Sequence, residues 1–288
     1  MPSIPPRLHF PSPYETPTVL PTAAERIAMD DGALIATFVY GTPGPIGSLP
    51  APILMLHGNG EDHTIFGPTI DAAVASGHAV VAIDSRAQGK SSRGKLPLTY
   101  ELLASDALTI LDTLGVPAAH VLGFSDGAIE GLLLARDHGE RVLSLMSIGA
   151  NLTPESVIED EEWDIDNSIA ANRNWYSYWT THPTTGVDPD LLTPSPQEAS
   201  ITAELLQLML DEPHIPAESL STIACPTTIM VGEFDCIVPE ETQAIHSSIA
   251  GSRLIVVPEA SHSLPKQVPD LVTEELLATV AAAETSLR

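Results

Sequence analysis

Short apolar runs alternate with segments of helical period over most of this 288-residue chain, and that alternation restricts the fold more than any other feature. The runs Ile53-Leu54-Met55-Leu56, His78 to Ile83, Ala119 to Phe124, Arg141 to Ile148, Thr227 to Val231 and Leu254 to Val257 read as buried strands. Between them, 64–76, 99–114, 128–135, 240–250 and 269–283 carry apolar residues at helical spacing. Strand and helix in strict turn imply parallel strands joined by right-handed crossovers. The fold class is therefore α/β. A β-hairpin is expected over 25–40, around Asp30-Asp31-Gly32.

The alternation lapses once. From about Asn151 to Leu220 there is no clear apolar strand, and helical spacing appears only over 168–180 and 198–210. This stretch reads as a helical cap (151–220) inserted between two parts of one core, 22–150 and 221–288, after a proline-rich arm (1–21). All three tryptophans, Trp163, Trp175 and Trp179, lie in the insertion. Trp175 and Trp179 are four apart on one helix face, placed to line a substrate cavity or to pack the cap onto the sheet.

The chemistry centres on Gly123-Phe124-Ser125-Asp126-Gly127, which sits where a strand becomes a helix. A Gly-x-Ser-x-Gly turn in that position is a nucleophile elbow, holding the serine above the sheet in a strained conformation. The start of the following helix favours developing negative charge there. A serine hydroxyl needs a base, and the base needs an acid to orient it. His262 and Asp235 each follow a strand, so parallel strands bring both to the sheet edge that carries Ser125. Two backbone N–H groups, of Asp126 after the nucleophile and of Asn59 after the strand ending at Leu56, are placed to form an oxyanion hole, with the Asn59 side-chain amide as an extra donor. His57 reads as a structural histidine.

These motifs resemble the α/β-hydrolase superfamily in their order: His57-Gly58-Asn59-Gly60, the Asp84, Arg86, Gly89 and Ser91 loop, the elbow, Gly232 with Asp235 and Pro239, and Ser261-His262. The resemblance implies a mostly parallel sheet of about eight strands, flanked by helices and covered by the cap. The Ser-Asp-Gly elbow is similar to that of valacyclovir-hydrolase-like esterases, where the acid beside the nucleophile is associated with a substrate ammonium. Here Asp126 is assigned only its backbone N–H. The chain departs from relatives at Ala87-Gln88 and at Ala128, away from the triad.

The expected activity is hydrolysis of a small, neutral carboxylic ester through an acyl-enzyme, with no cofactor and no metal. Carbon–carbon bond hydrolysis by the same triad and ligand reception with little turnover are the competing readings. Twelve Lys and Arg against 38 Asp and Glu give a net charge of −26, which disfavours nucleic-acid, anionic-membrane and anionic-substrate partners. Cys225 and Cys236 flank a strand and are expected to stay unpaired. The N-terminus lacks the apolar core of a signal peptide, so a cytoplasmic location is expected. Gly89-Lys90-Ser91 lacks the first glycine of a phosphate loop. The acidic run Glu159 to Glu162, with Asp164 and Asp166, reads as a solvated helix start.

Overall fold

A computed structural model describes residues 15–44, 47–158, 164–181 and 195–287. Its centre is one eight-stranded sheet in the order β1-β2-β4-β3-β5-β6-β7-β8. The strands are β1 (Ala23–Ala28), β2 (Leu34–Tyr40), β3 (Ile53–Leu56), β4 (Val80–Ile83), β5 (Ala119–Phe124), β6 (Val142–Ile148), β7 (Thr227–Phe234) and β8 (Arg253–Ser261). The β1/β2 and β2/β4 pairs are antiparallel and all the others are parallel. The expected hairpin and parallel core are both present.

Helices cover both faces, which is why the central strands are apolar throughout. In β3, Leu54 and Leu56 face one layer with Val81, Val121, Leu145 and Ile229. Their neighbours Ile53 and Met55 face the other, with Val80, Leu122, Met146 and Met230. The first layer is closed by α2 (Tyr100–Thr113), α3 (Asp126–Asp137) and α6 (Pro239–Ser248). The second is closed by α1 (Gly67–Ala75) and α8 (Pro269–Leu287). Thr99 caps α2 by accepting the Leu102 N–H at 3.1 Å. Residues 15–19 lie against α1, where the Asp71 carboxylate accepts the Thr18 and Val19 N–H groups at 2.9–3.0 Å.

Three elements differ from the sequence reading. The helix expected over 64–76 begins as a 3-10 turn, His63–Phe66, and α1 restarts at Gly67 because Pro68 has no N–H to continue it. Strand β8 runs past Pro258 to Ser261, its pairing with β7 resuming after an irregularity at Phe234↔Ser261. A four-residue helix, α7 (Leu264–Gln267), follows the histidine loop and is too short to leave a periodic signature.

The β6–β7 connection carries α4 (Ile165–Thr181) and α5 (Pro196–Asp211). The two pack on each other through Ile165, Ile169, Ala203 and Leu206, a small core separate from those of the sheet. A capping box at Ser195 and Glu198 starts α5. Trp163 and the acidic run 159–162 lie outside the described residues. Among the described residues, no helix is long and apolar enough to cross a membrane.

Candidate active site

The elbow is built by steric necessity. Ser125 has φ 53° and ψ −117°, a conformation that non-glycine residues rarely adopt. A Cβ on Gly127 would fall 2.1 Å from the Leu56 carbonyl oxygen, and one on Gly123 would fall 2.1 Å from that of Gly127. Only glycine on both sides lets the turn close.

Ser125, Asp235 and His262 meet at the carboxyl edge of the sheet. His262 Nε2 lies 2.9 Å from Ser125 Oγ, and Nδ1 lies 2.7 Å from Asp235 Oδ1. Both contacts are satisfied by the neutral tautomer that donates from Nδ1 and accepts at Nε2. Asp235 Oδ1 also accepts the Ile237 N–H at 3.0 Å. Burial works to raise the Asp235 pKa, but the hydrogen bond and charge of His262 outweigh it, and the carboxyl is held below its ordinary range. For His262, burial disfavours the charged ring, while Asp235 and the Cys236 thiol favour it more strongly. Its pKa is raised. The ring packs on Phe124 at 5.1 Å between centroids.

Across the elbow, Asn59 and Asp126 meet. Among the described residues, neither backbone N–H has a hydrogen-bond partner, as an oxyanion donor requires. The Asn59 side chain is otherwise engaged. Its Nδ2 donates to Asp126 Oδ2 at 2.9 Å and to the Leu205 carbonyl of α5 at 3.1 Å. The sequence reading of that amide as an extra donor is therefore corrected. Asp126 is turned into the protein, with Tyr100 donating to its Oδ1 at 2.9 Å. Its side chain is buried and in these contacts does not face a substrate ammonium. Burial lifts the Asp126 carboxyl to about 6 against the lowering effect of Asn59 and Tyr100. Glu130, one turn along α3, is buried too, and burial followed by the charge of Asp126 pushes it well above the carboxylate range.

His57 is structural. Its Nε2 accepts the Ser85 N–H at 2.9 Å, and its Nδ1–H donates to the Gly58 carbonyl at 2.7 Å, tying two loops together. The Asp84 loop is equally committed to the fold. Asp84 accepts from His63 and from the Lys90 N–H, and buried Arg86 pairs with Asp31 and Asp106. Lys266 of α7 reaches Glu61 at 3.0 Å, joining the histidine loop to the Asn59 loop.

On α4, Trp175 is buried and Trp179 half-buried, their rings 5.7 Å apart at 66°. The spacing that predicted their meeting is thus realised. Sequence reasoning missed Gly149 and Cys236. Gly149, directly after β6, has φ 64°, and a Cβ there would lie 2.8 Å from His262 Cε1. Both cysteines are free, as expected. Among the described residues, two groups have ligand atoms close enough for a metal ion: Asp235 with Cys236 and His262, and Asp62 with His63 and Asp84. A cavity of about 450 Å³ sits among the loops leading into β3, β5 and β6, lined by Pro50, Leu114 and Leu143 among others. That is the sheet edge opposite Ser125.

Comparison with known proteins agrees with this fold. A family model described as the alpha/beta hydrolase fold matches residues 51–193. A putative carbamate hydrolase RutD of Azorhizobium caulinodans is 26% identical over 239 residues, 78% of this chain and 89% of that protein. The serine hydrolase BPHL of Homo sapiens is 28% identical over 223 residues, 76% of this chain and 75% of its own. The solved structure of an esterase, EaEST, from Exiguobacterium antarcticum superposes with a TM-score of 0.69 at 25% identity, covering 90% of this chain and all of the other. With the sheet order and these relatives in agreement, the chain has the α/β-hydrolase fold and is a hydrolase.

Proposed function

We propose that the chain is a serine hydrolase of small, neutral carboxylic esters that works through an acyl-enzyme. The observation that carries this reading is the unbroken hydrogen-bonded line from Ser125 through His262 to Asp235. Ser125 Oγ attacks the ester carbonyl as His262 Nε2 takes its proton. Asp235 stabilises the imidazolium and holds its tautomer. The carbonyl oxygen becomes an oxyanion facing the backbone N–H groups of Asn59 and Asp126. Collapse of the tetrahedral intermediate expels the alcohol, which receives the proton from His262. Water, deprotonated by the same ring, then attacks the acyl group and releases Ser125.

Substrate charge follows from the surroundings. The chain carries 38 Asp and Glu against twelve Lys and Arg, a net charge of −26. An anionic substrate would approach against that field. The β6–β7 insertion serves as a cap, with Trp175 and Trp179 supplying apolar surface for the substrate. The test is release of p-nitrophenol from short- and medium-chain esters. Ser125→Ala is expected to lower the rate on the order of a thousandfold or more with an unchanged melting temperature. A folded variant that retained the activity would refute the assignment.

A further inference from the structure

We propose that Asp235, Cys236 and His262 form a binding site for a thiophilic divalent cation, Zn²⁺ foremost, and that the bound ion shuts the hydrolase off. The inhibition rests on the hydrolase reading; the binding does not.

One ligand atom from each of the three residues lies within 4.8 Å of the other two. The set mixes a carboxylate, an imidazole and a thiol, a combination that suits Zn²⁺ and does not suit the oxygen-seeking Mg²⁺ or Ca²⁺. A second observation points to the same place. The Asp235 side chain is 2% exposed, and its Oδ2 has no hydrogen-bond partner among the described residues. A buried carboxylate oxygen with no partner is costly, and a cation would satisfy it. The cluster is within reach of solvent, since the His262 side chain is 24% exposed and Cys236 is half-buried. The ligands also come from two separately held segments, the turn after β7 and the loop after β8. The rival cluster, Asp62 with His63 and Asp84, offers no thiol.

Two ligands at about 2.1 Å in a tetrahedron stand roughly 3.4 Å apart. His262 Nδ1 and Asp235 Oδ1 are 2.7 Å apart, so the ion enters by opening that hydrogen bond or by using Oδ2. The proton count is simple. The Cys236 thiol gives its proton to solvent as the Zn–S bond forms. As Nδ1 of His262 takes the metal the ring is left with one proton, on Nε2, and a ring that was charged gives its other proton to solvent. Nε2–H can no longer accept the proton of Ser125, so the base is lost while the fold is kept. The net charge of −26 raises the local concentration of cations.

The test is a Co²⁺ titration of the chelator-treated full chain, followed by absorbance. The wild type and Cys225→Ser are expected to develop a thiolate-to-cobalt charge-transfer band in the near ultraviolet, and Cys236→Ser is expected to lack it. Competition with Zn²⁺ should show binding weakened in Cys236→Ser by at least about tenfold, the lower end of what even an outer-shell loss costs. In parallel, Zn²⁺ should slow ester turnover by the wild type, a chelator should restore it, and Cys236→Ser, compared with its own metal-free rate, should resist the ion. No band in the wild type, or the same band in Cys236→Ser, would overturn the site. Should Cys236→Ser melt early, Cys236→Ala takes its place. A protein that binds Co²⁺ through Cys236 yet cleaves no ester would leave the metal site standing and remove the hydrolase reading.

Discussion

The sheet edge around Ser125 and the β6–β7 insertion above it are held together in different ways. At the edge, each side chain of the triad and elbow is fixed by close backbone approach, burial and short hydrogen bonds. The insertion has a small apolar core of its own. Its polar links to the rest include the Asn59 bond to the Leu205 carbonyl and the Arg93 ion pair with Glu204. Chemistry is thus placed by the sheet edge, while the part that would select the substrate has a core of its own and joins the sheet core through Leu208 of α5. That division lets one constellation serve many substrates.

The largest expected effect lies at the sheet edge. Asp235→Asn should lower the rate by about 10⁴-fold, the size seen when the equivalent acid of a serine triad is neutralised. Its pH profile sharpens the point. The base must be neutral, so rate falls as pH drops through the His262 pKa. Asp235 raises that pKa, which places the acid limb above the roughly 6.5 of a free imidazole. Asp235→Asn should move the limb to lower pH. Assays in chelator keep Cys236 and His262 metal-free. An unmoved limb would show that another group titrates.

Next comes stability. Asp126 titrates at about 6 in the fold against an ordinary 3.8. At about 1.4 kcal/mol per pH unit, its ionised form costs about 3 kcal/mol above pH 6, and that cost vanishes as pH falls through 3.8. The stability of the wild type relative to Asp126→Asn should therefore rise by up to that amount between pH 7 and pH 4. Parallel denaturant midpoints across that range would show instead that Asp126 is not strained by its burial.

Smaller effects belong to the insertion. Trp179→Ala should raise KM about tenfold with kcat little changed, since the ring would contribute binding shared by ground and transition states. Unchanged KM with a lowered melting temperature would make the residue a packing element alone. Arg93→Ala should cost less than about 1 kcal/mol in a denaturant melt, as partly exposed ion pairs do. A larger loss would mean that the insertion is bound more firmly than its contacts suggest.

The sequence was legible where one local rule governs. Apolar runs, one alternating hairpin and period-3.6 patterns located all eight strands and most helices, and parallel topology then brought Ser125, Asp235 and His262 to one edge. It was silent where the third dimension decides. Nothing in the helical spacing of Tyr100 tells that its hydroxyl reaches Asp126, or that the Asn59 amide turns toward Leu205. Cys236 reads as an unpaired cysteine with no assigned role until β8 brings His262 beside it. Gly149 is one more glycine after a strand until its missing Cβ proves to be the space His262 occupies.

The latch between Asn59 and α5 has a consequence for how such enzymes change their taste. Its acceptor is the main-chain carbonyl of residue 205, which every amino acid possesses. Mutations across α5 can rewrite the surface offered to a ligand without deleting that tether, provided the helix keeps its place. Grafting a foreign lid onto this scaffold would then ask for one helix position to be matched, and leave the letters of its sequence free to drift.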